Sequence, residues 1–132
     1  SQYLSGQVEQ PAIYYSTNFE NMDMIFAGPM APNPSELLEE KAFDELLATA
    51  RQIYDYILID TPPILSLTDA AIVARKCDGA VLVIESGRVK YRDAQKAQEQ
   101  LKKSGCSILG AVLNKVQARK DKYYSSYYGY GK

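Results

Sequence analysis

Four short apolar runs constrain the fold most: MDMIFA (Met22–Ala27), YILI (Tyr56–Ile59), AVLVI (Ala80–Ile84) and ILGAVL (Ile108–Leu113). They are rich in Ile, Val and Leu with little polar alternation. A strand with one wetted face alternates, so such runs belong to strands buried on both faces, as in a parallel sheet covered by helices. Segments with helical spacing separate them. Ser35–Ile53 places Leu37, Leu38, Phe43, Leu46, Leu47 and Ile53 mostly on one side. Its start, Asn33-Pro34-Ser35-Glu36, combines cap formers, a proline and an early acidic residue. Leu67–Lys76 and Arg92–Ser104 predict two more helices, the second closed by Gly105. The order β-α-β-α-β-α-β predicts a doubly wound, three-layer α/β domain with right-handed crossovers.

Composition narrows the chemistry. The 132 residues are one domain's worth of chain, and 15 basic against 16 acidic residues leave a formal charge of -1. No whole-chain field points to nucleic acid. The absence of histidine excludes His-based catalysis and most zinc sites. Cys77 and Cys106 match no metal-ligand spacing and are expected to be buried, reduced thiols. No apolar run has the length of a membrane-spanning helix, and no signal peptide is apparent at Ser1.

YDYILIDTPP carries the most chemical information. Its buried strand delivers Asp60 to the carboxyl end, where Thr61-Pro62-Pro63 stops it. Ligands of open α/β sheets bind at that end. A carboxylate fixed there can hold Mg²⁺, as the Walker B aspartate does in P-loop NTPases, or it can simply cap the turn before Pro62. Thr68-Asp69 shortly downstream makes the metal reading the more specific one.

AGPMAPNPSELL (Ala27–Leu38), IDTPP (Ile59–Pro63), AVLVIESGRVKYRDA (Ala80–Ala94), AVLNK (Ala111–Lys115) and a terminal tyrosine cluster follow one another in that order. In combination they resemble the bacterial protein-tyrosine kinases (BY-kinases) of capsular and exopolysaccharide synthesis, particularly the separate cytoplasmic kinases of Gram-positive bacteria. The resemblance runs from about Leu4 to Lys132. It implies a P-loop NTPase-like fold related to the Min/Par ATPases, with MgATP as phosphate donor. By position it makes Asp60 the Walker B residue and catalytic carboxylate, with Thr61 and Pro62 beside the nucleotide. Asn114 would face adenine, whose N6 and N7 a carboxamide can pair; a polar residue ending a strand is the equal alternative. The family further implies other copies of the chain in a ring-like homo-oligomer, a membrane-embedded polysaccharide co-polymerase as activator, a tyrosine phosphatase, and a place at the inner face of the membrane.

The phosphate cradle is missing. None of the eight glycines belongs to a G-x-x-x-x-G-K-[ST] motif, and the only Gly-Lys pair is Gly131-Lys132. A strand ending in Asp-x-Asp (Walker A′) is absent too. Residues 1–116 are therefore expected to form the later part of an α/β kinase domain without its P-loop unit. Backbone N–H groups and the P-loop lysine supply most triphosphate recognition. The chain alone is thus expected to be inactive, and to expose a sheet edge.

Residues 117–132 are expected to form a flexible tail, since nothing in them is apolar enough to offset the entropy of ordering. Five of 11 tyrosines, Tyr123, Tyr124, Tyr127, Tyr128 and Tyr130, lie there among Ser125, Ser126, Gly129 and Gly131. The resemblance makes them phosphoacceptors; taken alone, the tail is also plain Tyr/Ser/Gly low complexity. Arg119, Lys120, Lys122 and Lys132 against Asp121 make it formally +3, and each phosphate would add about -1.5 to -2. Phosphorylation is expected to release the tail from an acidic neighbouring subunit. Arg88, Lys90 and Arg92 form a basic cluster that suits a phosphate or a solvated loop equally. A Min/Par-like ATPase and a non-catalytic phosphoacceptor or assembly partner are the alternative functions.

Overall fold

A computed structural model describes residues 1–116. The five tail tyrosines lie outside the described residues. The best-formed sheet is a parallel pair, β3 (Ala80–Glu85) and β4 (Ile108–Asn114). Its register runs from Ala80 opposite Ile108 to Glu85 opposite Asn114, with one irregularity after Ala80. Both strands match the apolar runs that predicted them. Between them lies α4 (Tyr91–Lys103), which starts one residue earlier than expected. Gly105, at φ +81, takes the left-handed conformation that ends a helix without a Cβ penalty.

The other two apolar runs behave differently. Within Met22–Ala27 only Asp23–Met24 forms a strand, β2, and it pairs antiparallel with β1 (Tyr15–Ser16). Ile25 and Phe26 are 42% and 60% exposed, so this is a surface ribbon and not a buried parallel strand. Tyr15 packs edge-on against Phe26, with ring centroids 5.2 Å apart. The run Tyr56–Ile59 joins no ladder, because among the described residues no strand lies beside it. Ladder hydrogen bonds, not side-chain pattern, make a strand, so its composition could not substitute for a neighbour.

The single helix expected over Ser35–Ile53 is two, α1 (Pro34–Glu39) and α2 (Lys41–Ile53). Glu40, at ψ 152, breaks the ladder. No residue there is a helix breaker; the break lets α1 run against α3 (Asp69–Arg75) while α2 buries Phe43 and Ala50. Ile53, expected inward, is 63% exposed at the end of α2. Salt bridges Glu39–Arg75 (3.1 Å), Asp44–Lys76 (2.6 Å) and Asp78–Arg51 (3.0 Å) tie α1 and α2 to α3 and its following turn. The Glu39–Arg75 and Asp78–Arg51 pairs are largely exposed and so weakened by solvent screening, whereas the Lys76 side chain is only 20% exposed. The core sits where α3 and α4 meet the sheet: Ala74, Leu101 and Cys106, with Ile64, Ala80, Leu82 and Ile108 packed on them. No described helix is long and apolar enough to cross a membrane.

Candidate functional site

Asp60 stands where the extended run Tyr56–Ile59 ends, and its side chain is exposed. Alternation along the run separates two faces. Ile57 and Ile59 line a small cavity with Leu47, Tyr54 and Cys77, against α2. Tyr56, Leu58 and Asp60 therefore project the other way. Thr61 is half-buried and Pro62 exposed. The Pro63 carbonyl then accepts hydrogen bonds from the Ser66 and Leu67 amides, turning the chain toward α3.

That turn is anchored by the two motifs the sequence placed far apart. The Ser35 hydroxyl, in PNPSELL, donates to Asp69 Oδ1 at 2.6 Å and lies 3.1 Å from Thr68 Oγ1. Asp69 is 9% exposed, so its carboxylate depends on this bond. An open groove between α1, α3 and α4, about 700 Å³ in volume, begins at this anchor and includes Ile64, Arg75 and Lys103 in its lining.

Asn114 ends β4, as expected, and is exposed. Its Oδ1 accepts from the Lys115 amide at 2.8 Å, and Lys115 adopts φ +54. The amide nitrogen and one oxygen lone pair remain for a ligand. Opposite Asn114 stands Glu85, to which the sequence reading assigned no role. Its carboxylate accepts from Lys115 Nζ at 3.0 Å and Arg88 at 3.3 Å. The Lys115 hydrogen bond, chiefly, holds the Glu85 carboxyl below its ordinary range, against the opposing effect of desolvation. A carboxylate directly after an apolar run, three residues before an arginine, was the available signal. Arg88 is thus engaged by Glu85, while Lys90 and Arg92 lie at the start of α4.

Asp60 and Asn114 each stand at the carboxyl end of an extended segment, yet no ladder joins those segments. Among the described residues no three His, Cys, Asp or Glu side chains gather as a metal cluster. Mg²⁺ bound through one carboxylate, waters and substrate phosphates needs no such cluster. An exposed carboxylate such as that of Asp60 is chemically able to be one such ligand.

Both cysteines are free; Cys106 is buried, and burial, chiefly, pushes the half-buried Cys77 thiol up.

The chain is 42% identical over 134 residues to the tyrosine-protein kinase CpsD of Streptococcus pneumoniae, covering 100% of this chain and 59% of that protein. The putative tyrosine-protein kinase CapB of Staphylococcus aureus is 42% identical over 113 residues, 86% of this chain and 50% of that protein. The chain belongs to the bacterial tyrosine kinases. Solved BY-kinase structures agree. The kinase domain of Escherichia coli tyrosine kinase ETK superposes with a TM-score of 0.79 at 31% identity, over 91% of this chain and 49% of that one. The chimerical protein CapA2B2 superposes at 0.83 and 32%, over 87% and 51%. The P-loop NTPase-like α/β fold class is therefore the one the apolar runs and motifs led to. No family model matches the chain. It spans about three-fifths, or less, of the BY-kinase relatives it matches.

Proposed function

We propose that residues 1–116 are the metal- and base-side part of an MgATP-dependent protein-tyrosine autokinase, and that residues 117–132 are its substrate. The observation that carries this reading is the whole-length match to a tyrosine-protein kinase across IDTPP, AVLNK and the tyrosine cluster together. Asp60 takes the metal-side carboxylate, Thr61 and Pro62 shape the loop beside the phosphates, and Asn114 reads the adenine edge. A phenol with a pKa near 10 is a poor nucleophile at neutral pH, so its phosphorylation needs alignment and an activated donor. Transfer occurs in trans, onto Tyr123, Tyr124, Tyr127, Tyr128 and Tyr130 of another copy, and the added charge loosens the ring of subunits. Capsule or exopolysaccharide synthesis is the process regulated, with a membrane co-polymerase as activator and a tyrosine phosphatase to reset the tail. The protein works in the cytoplasm against the inner membrane face.

The Tyr/Ser/Gly-rich composition of residues 117–132 also suits a second reading, in which the chain only accepts phosphate or assists assembly. A chimera separates the two: this chain replaces the matched region of the Streptococcus pneumoniae kinase. With MgATP the chimera is expected to gain phosphates on the five tail tyrosines. Asp60→Asn is expected to lower the rate by roughly 100-fold or more, the scale of losing one preorganised charge-stabilising group. A folded chimera that hydrolyses ATP but leaves the tail bare would instead identify a partitioning-type ATPase. A folded chimera with neither activity, whose tail is phosphorylated only by the intact kinase, would leave the phosphoacceptor reading standing.

A further inference from the structure

Glu85 and Asn114 face each other as the last residues of β3 and β4, and the Ser86 amide donates to the Asn114 carbonyl at 2.9 Å. The chain then turns left-handed. Lys115, at φ +54, is one of two non-glycine residues with positive φ among the described residues; the other is Asn21. Asparagine tolerates that conformation through short local hydrogen bonds of its side chain, which a lysine lacks, so Lys115 must be held by its surroundings. Two contacts hold it. Its amide donates to Asn114 Oδ1 at 2.8 Å, and its ammonium donates to Glu85 Oε1 at 3.0 Å. Glu85 is fixed in turn: Arg88 Nη1 donates to its Oε2 at 3.3 Å, and the Arg88 and Val89 amides donate to its carbonyl. With both carboxylate oxygens engaged by cations, Glu85 is suited to holding a neighbour and not to taking up a proton.

This clamp decides what Asn114 offers a ligand. A carboxamide is an acceptor at one end and a donor at the other, and a half-turn about its last torsion exchanges the two. The Lys115 amide can pair only with the oxygen, so it pins the acceptor on its own side and leaves the NH₂ group on the other. Adenine shows an acceptor, N7, beside a donor, the N6 amino group, whereas guanine shows two acceptors, N7 and O6. A pinned Asn114 presents a donor beside one remaining acceptor lone pair, which complements adenine and sets oxygen against O6 of guanine. We propose that Glu85 is a positioning residue: acting through Lys115, it holds Asn114 in the orientation that selects adenine over guanine. The proposal rests on the reading of Asn114 as the contact to the base.

The first measurement uses the chain itself and no nucleotide. Glu85→Ala is expected to speed amide exchange at Lys115 by about 2- to 5-fold, the scale of losing one partly exposed ion pair. The second uses the chimera with the Streptococcus pneumoniae kinase, titrated with fluorescent ATP and GTP analogues without turnover. Asn114→Ala is expected to reduce the preference for ATP by about 10-fold or more. Glu85→Ala is expected to reduce it by about 2- to 5-fold, through weaker ATP binding and not tighter GTP binding, and to act on the KM for ATP more than on kcat. Lys115→Ala should match it, and the double variant should be no worse than either single one, because the two residues act in series. An unchanged ATP-to-GTP ratio in Glu85→Ala, where Asn114→Ala loses it, overturns this inference alone, even if stability falls. A ratio indifferent to Asn114→Ala overturns the adenine reading and the inference with it. Unchanged exchange at Lys115 overturns the clamp whatever the chimera does.

Discussion

Tyr54 shows how a residue's chemistry follows from a partner distant in sequence. Its hydroxyl donates to Asp23 Oδ2 at 2.6 Å, and Tyr14 stacks on its ring at a centroid distance of 6.2 Å. The hydrogen bond to Asp23 is the main cause that pushes its pKa up to about 12, with desolvation and the Asp23 charge adding to it. The fold thus holds the neutral phenol. The contribution of this bond is fully present below the ordinary tyrosine pKa of 10.0 and is lost as pH rises toward about 12. Titration of phenolate absorbance should show a late-ionising tyrosine that Tyr54→Phe removes. Retention of the full late phase in that variant would assign it elsewhere, Tyr3 being the other phenol raised among the described residues, chiefly by burial. At the same scale, Asp60 stands out in the sequence because prolines and an apolar run frame it. Glu85 was not, because its importance lies in standing across from Asn114, a relation only the register creates.

Among the elements, α1 and α3 are short, at six and seven residues, and neither is long enough to persist alone in water. They persist because they pack together, and the Ser35–Asp69 hydrogen bond is the polar contact at the centre of that packing. Ser35→Ala leaves a largely buried carboxylate without this donor. The expected cost is about 1–3 kcal/mol, read as a lower denaturation midpoint in urea at unchanged slope. A variant as stable as the parent would mean that water or Thr68 replaces the hydroxyl. The start of this region was legible from Asn33-Pro34-Ser35-Glu36: Pro34 opens α1, and the Asn33 amide donates to Glu36. The break at Glu40 was not. Leu37 to Leu47 reads as continuous helix, and only the need to address α3 and the core in two directions divides it.

For the whole molecule, the described core is thin. Its buried hydrophobic residues are mostly small, and no side chain is less than 2% exposed. Leu101, at 6%, is the largest member of the Ala74–Leu101–Cys106 cluster that joins α3 and α4 to the sheet. Leu101→Ala is expected to cost about 2–5 kcal/mol. Set against the roughly 5–15 kcal/mol that holds a typical domain together, that loss should abolish cooperative thermal unfolding of the isolated chain. A sharp transition near the parent's would place the principal core elsewhere.

Sequence alone determined what is local or periodic. The α/β class followed from unalternated apolar runs, the close of α4 from a glycine, and the carboxylate of IDTPP from its position after a strand-like run. These depend on residues within one turn or one strand, and no later packing alters them. Tertiary structure alone decided which runs became strands. Ala80–Glu85 and Ile108–Asn114 found each other across α4, whereas Tyr56–Ile59, of like composition, stayed without a ladder. An apolar side chain records that burial is favourable, but a strand exists only where a neighbouring backbone accepts its hydrogen bonds, and that neighbour is a property of the fold.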